Sequence, residues 1–198
     1  MTREIYATDG TYHLVKLTEE DKERFLELMK QDNENADLWE KDSFRTMMWN
    51  FAVEESENLN YSIYDENDEY CGNIVLQDPK DKLPEIGVDI VVKKRNQGIA
   101  ANAIKMLAKR AYEDRQVDYY LLKVSSFNSH SKHMIEKLGA TLIGTEETIY
   151  ARAIRKLQEM NLDKDNTDMN ATLSKIREEI DEKQEVVYRY KLGPDRFL

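Results

Sequence analysis

Along this chain, short runs with apolar residues at nearly every position alternate with longer runs that repeat every three or four residues. Near the start, Tyr12-His-Leu-Val-Lys-Leu17 predicts a short strand. Thr18 follows as a helix N-cap, with Asp21 three residues on where a capping box prefers Glu. Phe25, Leu26, Leu28 and Met29 give that helix its apolar stripe. Residues 32–60 predict more helix, with Leu38, Trp39, Phe44, Met47, Met48, Phe51 and Val53 as candidates for burial. A hairpin comes next: Tyr61-Ser-Ile-Tyr64 and Cys71-Gly-Asn-Ile-Val-Leu76 flank the polar turn Asp65–Glu69. After Pro79 and Pro84, Glu85-Ile-Gly-Val-Asp-Ile-Val-Val92 has apolar residues on both faces, as a central strand does.

Residues 98–115 predict a helix, with Ile99, Ala103, Met106, Leu107 and Ala111 on one side. Tyr119–Ser125 is the strand after it, and strand, helix, strand in this order implies a right-handed parallel crossover. Ser129–Leu138 is a short helix stopped by Gly139. Ala140–Gly144 opens another strand, and Val186–Leu192 is the last. Between these two, residues 151–185 read as a helical hairpin. Ile154, Leu157 and Met160 make one stripe, Met169, Leu173, Ile176 and Ile180 another, with Asp163–Thr167 as the polar break. Its simplest role is packing on its own domain. Its near-heptad stripe would also suit capping a site or pairing with its copy in a homodimer. At 198 residues the chain fits one domain, 1–198, carrying 151–185 as an insertion before the last strand.

Composition narrows the class. Mean hydropathy is -0.74, no apolar run approaches the roughly 18 residues of a membrane span, and the start lacks the apolar stretch of a secretory signal. One cysteine, Cys71, rules out an internal disulfide and suits a reducing, cytoplasmic setting. Three His and one Cys without ligand spacing predict no metal site. The net charge is -10, which argues against nucleic acid as a partner. Charge is also uneven: residues 1–92 hold 9 Lys/Arg against 23 Asp/Glu, and residues 93–198 hold 20 against 16. That asymmetry suggests a cationic ligand for one part and an anionic ligand for the other.

The anionic ligand has a candidate seat in Val91-Val-Lys-Lys-Arg-Asn-Gln-Gly-Ile-Ala-Ala-Asn102, where a buried strand ends, small residues follow, and a helix begins. Gly98 and Ala100 allow close approach of a ligand to the backbone. The first N–H groups of a helix have no internal partner and carry about half a positive charge, so they bind phosphate readily. Lys93, Lys94 and Arg95 add formal charge. The segment lacks both the Gly-Lys-Ser/Thr ending of a Walker loop and the Gly-x-Gly-x-x-Gly dinucleotide fingerprint.

Arg95-Asn-Gln-Gly98-Ile-Ala100 resembles the Arg/Gln-x-x-Gly-x-Gly/Ala signature of the GNAT superfamily of N-acetyltransferases. Asn128-Ser-His-Ser131, followed by Lys137-Leu-Gly139-Ala, resembles the second motif of that family, in the right order and on the right kind of element. His13-Leu-Val-Lys-Leu-Thr-Glu-Glu-Asp21 resembles the opening of the branch that acetylates ribosomal-protein N-termini. The resemblance covers residues 10–150 and the last strand. It implies an α/β, GNAT-type acyl-CoA N-acyltransferase fold: a mixed sheet of about seven strands with splayed central parallel strands, acetyl-CoA lying in the gap.

By this resemblance, backbone groups of Ile90, Val91 and Val92 pair with pantetheine, and Arg95, Asn96, Gln97, Gly98, Ile99 and Ala100 surround the pyrophosphate. Asn128 and Ser131 reach the cofactor, and Lys137 lies near the adenosine phosphate. Acetyl passes directly to a primary amine in a ternary complex. Glu85 is the implied base, and a backbone N–H near Val91 the implied oxyanion donor. Many members place a Tyr seven residues after the motif Asn as general acid; here that position is Ile135, leaving Ser131, water and Tyr150 as alternatives. The implied acceptor is a protein or peptide N-terminal amine, with a small polyamine or aminoglycoside as the alternative. A non-catalytic acetyl-CoA-binding module is a third reading. Trp39, Phe44, Trp49 and Tyr188 either line the acceptor slot or fill the core.

Overall fold

The computed structural model describes residues 4–31, 36–53, 57–148, 151–153, 155–156 and 185–193. It divides into two units: Met1–Leu122 with Leu192–Leu198, and Lys123–Lys191. Eight strands and, between residues 22 and 137, five α-helices lie among the described residues, which also include helical residues at 151–153 and 155–156. In the first unit, β1 (Ile5–Thr8), β2 (Tyr12–Lys16), β3 (Leu59–Asp65), β4 (Tyr70–Gln77) and β5 (Glu85–Ile90) pair antiparallel in chain order. β6 (Tyr120–Ser125) meets β5 in parallel at Glu85↔Leu121. Four consecutive residues of β3, Tyr61–Tyr64, and four of β4, Cys71–Ile74, are buried. Such runs require cover on both faces of the sheet.

That cover comes from helices. A 3-10 turn at Glu19–Asp21 leads into α1 (Lys22–Lys30), followed by α2 (Ala36–Trp39) and α3 (Asp42–Val53). The Asp21 carboxylate accepts from both the N–H and the hydroxyl of Thr18, so the shorter acid still serves the predicted cap. Leu17, Phe25, Leu26, Trp39 and Trp49 form one buried cluster, with Met29, Phe44, Met48 and Ala52 packed against it. Trp39, Phe44 and Trp49 therefore fill core rather than a slot. α4 (Ile99–Arg115) packs against β1, β2, β4 and β5 through Ala103, Ile104, Leu107, Ala108 and Ala111.

Two expectations about this unit need correction. Leu38, Met47, Phe51 and Val53 are exposed, not buried. On α3 the inward positions are Met48, Trp49 and Ala52, which leaves Met47 and Phe51, four apart, on the outer side. The pattern also gives no sign of β1. That strand pairs with β2 across Asp9-Gly10, where Gly10 has φ 90° and Asp9 Oδ1 accepts from the N–H groups of Thr11 and Tyr12.

The second unit holds the end of β6, α5 (Ser129–Lys137), β7 (Thr141–Glu147) and β8 (Val186–Leu192). β7 and β8 pair antiparallel, with a register break between Leu142 and Gly144. Ile135, Leu138 and Tyr190 are buried here. The predicted helical hairpin over 151–185, and Tyr150, lie almost wholly outside the described residues.

Candidate functional site

β5 ends at Ile90, two residues before the sequence pattern suggested, because Val92–Lys94 turn into a 3-10 helix. The chain then passes through Asn96 (φ 61°) to Gly98 (φ 79°, ψ 0°), the N-cap of α4. Both are left-handed, a conformation that Asn tolerates and Gly adopts without strain. Gly98 offers no side chain to cap α4, so the helix starts without a side-chain cap. The first amides of this long helix are thereby left to an anion.

The basic residues of the loop do not all face that end. Lys94 Nζ binds Asp65 Oδ2 at 2.9 Å and Glu69 Oε2 at 2.5 Å, on the β3–β4 turn. These bonds push the Lys94 ammonium above its usual range, and Lys94 in turn holds the Asp65 carboxyl below its own. Arg95 Nε donates to the Ile90 carbonyl at 3.1 Å. Lys93 is exposed.

The edge of β5 is occupied in a specific way. Val91 N–H donates to Cys71 O at 3.0 Å, so it serves the β4–β5 ladder. An N–H already in a ladder bond is not open to a substrate oxygen, so Val91's own N–H is not the oxyanion donor expected near it. Gln31, just past α1, donates from Nε2 to Ile90 O at 2.9 Å and accepts at Oε1 from Val92 N–H at 3.1 Å. At the other end of the strand, half-buried Glu85 stands opposite Gln77 and Leu121. Gly72 lets the two strands close up beside Ile90: a Cβ there would lie 2.1 Å from Asp89 O and 3.1 Å from Ile90 Cα.

A cleft of about 480 Å³ opens beside this edge, lined by Arg24, Glu27, Gln31, Glu69, Tyr70 and Lys93 among others. The Tyr70 hydroxyl is buried without a hydrogen-bond partner among the described residues. Burial, chiefly, and the nearby Asp21 carboxylate push its ionisation upward, so it stays a neutral donor. Behind it, Tyr64 donates to Asp21 and accepts from Arg24 Nη1 at 3.2 Å.

The sequence model of the acetyltransferase (GNAT) domain matches residues 12–141. The chain belongs to the GNAT acetyltransferase family. GNAT acetyltransferases use acetyl-CoA, and this chain is an acetyl-CoA-dependent N-acetyltransferase by that membership. Solved structures agree on the fold. A chimera of the spermidine N-acetyltransferase SpeG from Vibrio cholerae and hSSAT superposes with TM-score 0.66 at 14% identity, covering 94% of this chain and 98% of that one. The Vibrio cholerae spermidine N-acetyltransferase in complex with CoA and spermine gives 0.64 at 13% identity, covering 96% and 99%. A crystal structure described as a putative acetyltransferase gives 0.62 at 14%, covering 100% and 91%. No curated protein matches the sequence.

The stretch that resembles the second GNAT motif lies on α5. Asn128 is its N-cap, and Asn128 Oδ1 accepts from Ser131 N–H at 3.0 Å. Ser131 is half-buried and Lys137 exposed, whereas Ile135 is buried in the position where the family often has Tyr. Tyr188 is half-buried, with Lys132 Nζ 4.9 Å from its ring centroid. Cys71 is fully buried, as a small core residue would be. Sequence reasoning missed Gln31 and Tyr70. A lone Gln after a helix and a Tyr opening a strand carry no local pattern, since both acquire their meaning from what the fold places beside them.

Proposed function

We propose that the protein moves acetyl from acetyl-CoA to a primary amine on a cationic acceptor. The supporting observation is the uncapped start of α4 behind left-handed Gly98, eight residues past the strand end whose edge binds an amide. The amides of Gly98, Ile99 and Ala100, with Arg95, Asn96 and Gln97 around them, take the pyrophosphate. Ile90 O and Val92 N–H take pantetheine amides. Asn128, Ser131 and Lys137 are assigned to the cofactor by resemblance to the second motif alone.

The acceptor nitrogen attacks the thioester carbonyl, the C–S bond breaks, CoA leaves as thiolate, and the proton that the nitrogen sheds on becoming an amide passes through water to that thiolate. An alkyl ammonium, with a pKa near 10.4, must first lose a proton at neutral pH. Glu85 takes that proton through water. The acceptor is a small polyamine: residues 1–92 hold 23 Asp/Glu against 9 Lys/Arg, and two of the similar structures above are spermidine N-acetyltransferases. The second reading, a protein N-terminal amine, is supported by the His13–Asp21 opening.

Thiol release measured with spermidine, spermine, an aminoglycoside and short peptides separates the two. Turnover confined to peptides would reject the polyamine reading, and no turnover with any amine would reject the enzyme. Glu85→Gln should lower kcat at least tenfold while sparing CoA affinity. Unchanged kcat removes Glu85 from the mechanism.

A further inference from the structure

The β5 edge that Gln31 occupies presents one acceptor and one donor, and Gln31 engages both. Successive peptide groups of a strand point to opposite edges. Val91 N–H points to β4, where it meets Cys71 O. Ile90 O and Val92 N–H, on either side of it, therefore face away from β4. Gln31 satisfies both at 2.9 and 3.1 Å with one planar amide, one donor and one acceptor. In a sheet the same pair of bonds goes to the N–H and the C=O of one facing residue, which belong to two successive trans amides. Pantetheine carries two successive secondary amides, and the primary amide of Gln31 does the work of both because one of its N–H bonds lies on the same side as its oxygen.

We infer that the Gln31 side chain is a built-in stand-in for the two pantetheine amides of the cofactor, closing the edge of β5 in the free protein and letting go when acetyl-CoA binds. This rests on the acetyl-CoA reading above and concerns the regulation of that site. Two further observations give the released amide a destination. Gln31 lines the cleft of about 480 Å³, so it has room to turn. Tyr70 lines the same cleft, its hydroxyl buried and unpartnered among the described residues. An unmade buried hydrogen bond is costly, so the swung amide gains there part of what it loses at β5. Ile90 O keeps the Arg95 bond while the exchange proceeds. Because Gln31 caps the C-terminus of α1, cofactor binding also loosens the tie between that helix and β5.

The test is calorimetric titration of acetyl-CoA and of ADP into the wild type, Gln31→Ala and Gln31→Met, with ligand-free melting curves to confirm folding. Removing the competitor should tighten acetyl-CoA about three- to tenfold in both variants, the range set by the net worth of one or two hydrogen bonds. ADP carries the diphosphate without pantetheine, so its affinity should stay within about twofold. Tyr70→Phe should weaken acetyl-CoA in the wild-type background and leave it unchanged beside Gln31→Ala, the signature of a coupled pair. Unchanged or weaker acetyl-CoA binding in the Gln31 variants, with normal wild-type binding, overturns the inference. So does an equal gain for ADP. A wild type that binds neither ligand instead overturns the acetyl-CoA reading, and the inference falls with it.

Discussion

Single residues decide how closely β4 and β5 approach and how the adjoining turn is held. Gly72 faces backbone at 2.1 and 3.1 Å, and backbone cannot turn aside as a flexible side chain can. Gly72→Ala should therefore cost about 1–3 kcal/mol, the usual range for overpacking, read as a lower denaturant midpoint. An unchanged midpoint would mean that the strands part easily there. The Asp65–Lys94 pair makes a pH prediction. Asp65 is held below its ordinary value first by the Lys94 hydrogen bond. A depressed carboxyl stabilises the fold above its unfolded pKa, near 3.9, and loses that effect as pH falls through the lower folded value. Asp65→Asn keeps an acceptor for the Asn67 and Glu69 amides but loses the ion pair. It should destabilise the protein by up to about 1 kcal/mol at pH 7, and the difference from wild type should close as pH falls through the lowered Asp65 pKa of the folded state. A difference that persists in acid would assign the effect to the turn instead.

Elements were legible where a local signal agreed with what the fold required. The hairpin around Asp65–Glu69, the helix after Gly98 and the last strand all stand where a polar turn between two apolar runs, the three-to-four spacing of apolar residues and a short apolar run put them. β1 was missed although Asp9-Gly10 is a strong hairpin signal, because Ile5–Thr8 is too short to display a period. α3 was legible as a helix, but its inner face was not: its apolar residues surround the axis, and only packing on Phe25 and Leu26 selects Trp49 over Met47. In the candidate site, the turn into α4 at Gly98 could be read from residue types alone. The engagement of Val91 by Cys71 and of Lys94 by Asp65 could not, since those partners are distant in sequence. At the start of α5, Asn128 accepts from Ser131 N–H. Asn128→Ala should cost about 1 kcal/mol, the typical worth of an N-cap, and Asn128→Asp should restore most of it. A melting temperature unmoved by Asn128→Ala would make that cap dispensable and leave the motif Asn to a role with the cofactor.

On the scale of the molecule, the decisive quantity is the uneven charge. The first 92 residues carry 23 acidic against 9 basic side chains, and the cleft in the first unit is lined by Glu27, Asp68 and Glu69 against Arg24 and Lys93. A field of one sign concentrates the opposite charge and raises its encounter rate, and salt screens that field. For a polyamine acceptor, raising salt from about 0.05 to 0.5 M shortens the screening length several-fold. The acceptor KM should then rise several-fold while kcat holds, because the bound amine meets the same base. A peptide acceptor whose only cation is its terminal amine should show a much smaller rise under identical conditions. Measuring both KM values across the salt series reads the acceptor's charge directly from the enzyme. A salt-independent KM for spermidine would show that the acidic surface serves solubility alone, and the choice of acceptor would then pass from long-range attraction to the shape of the slot.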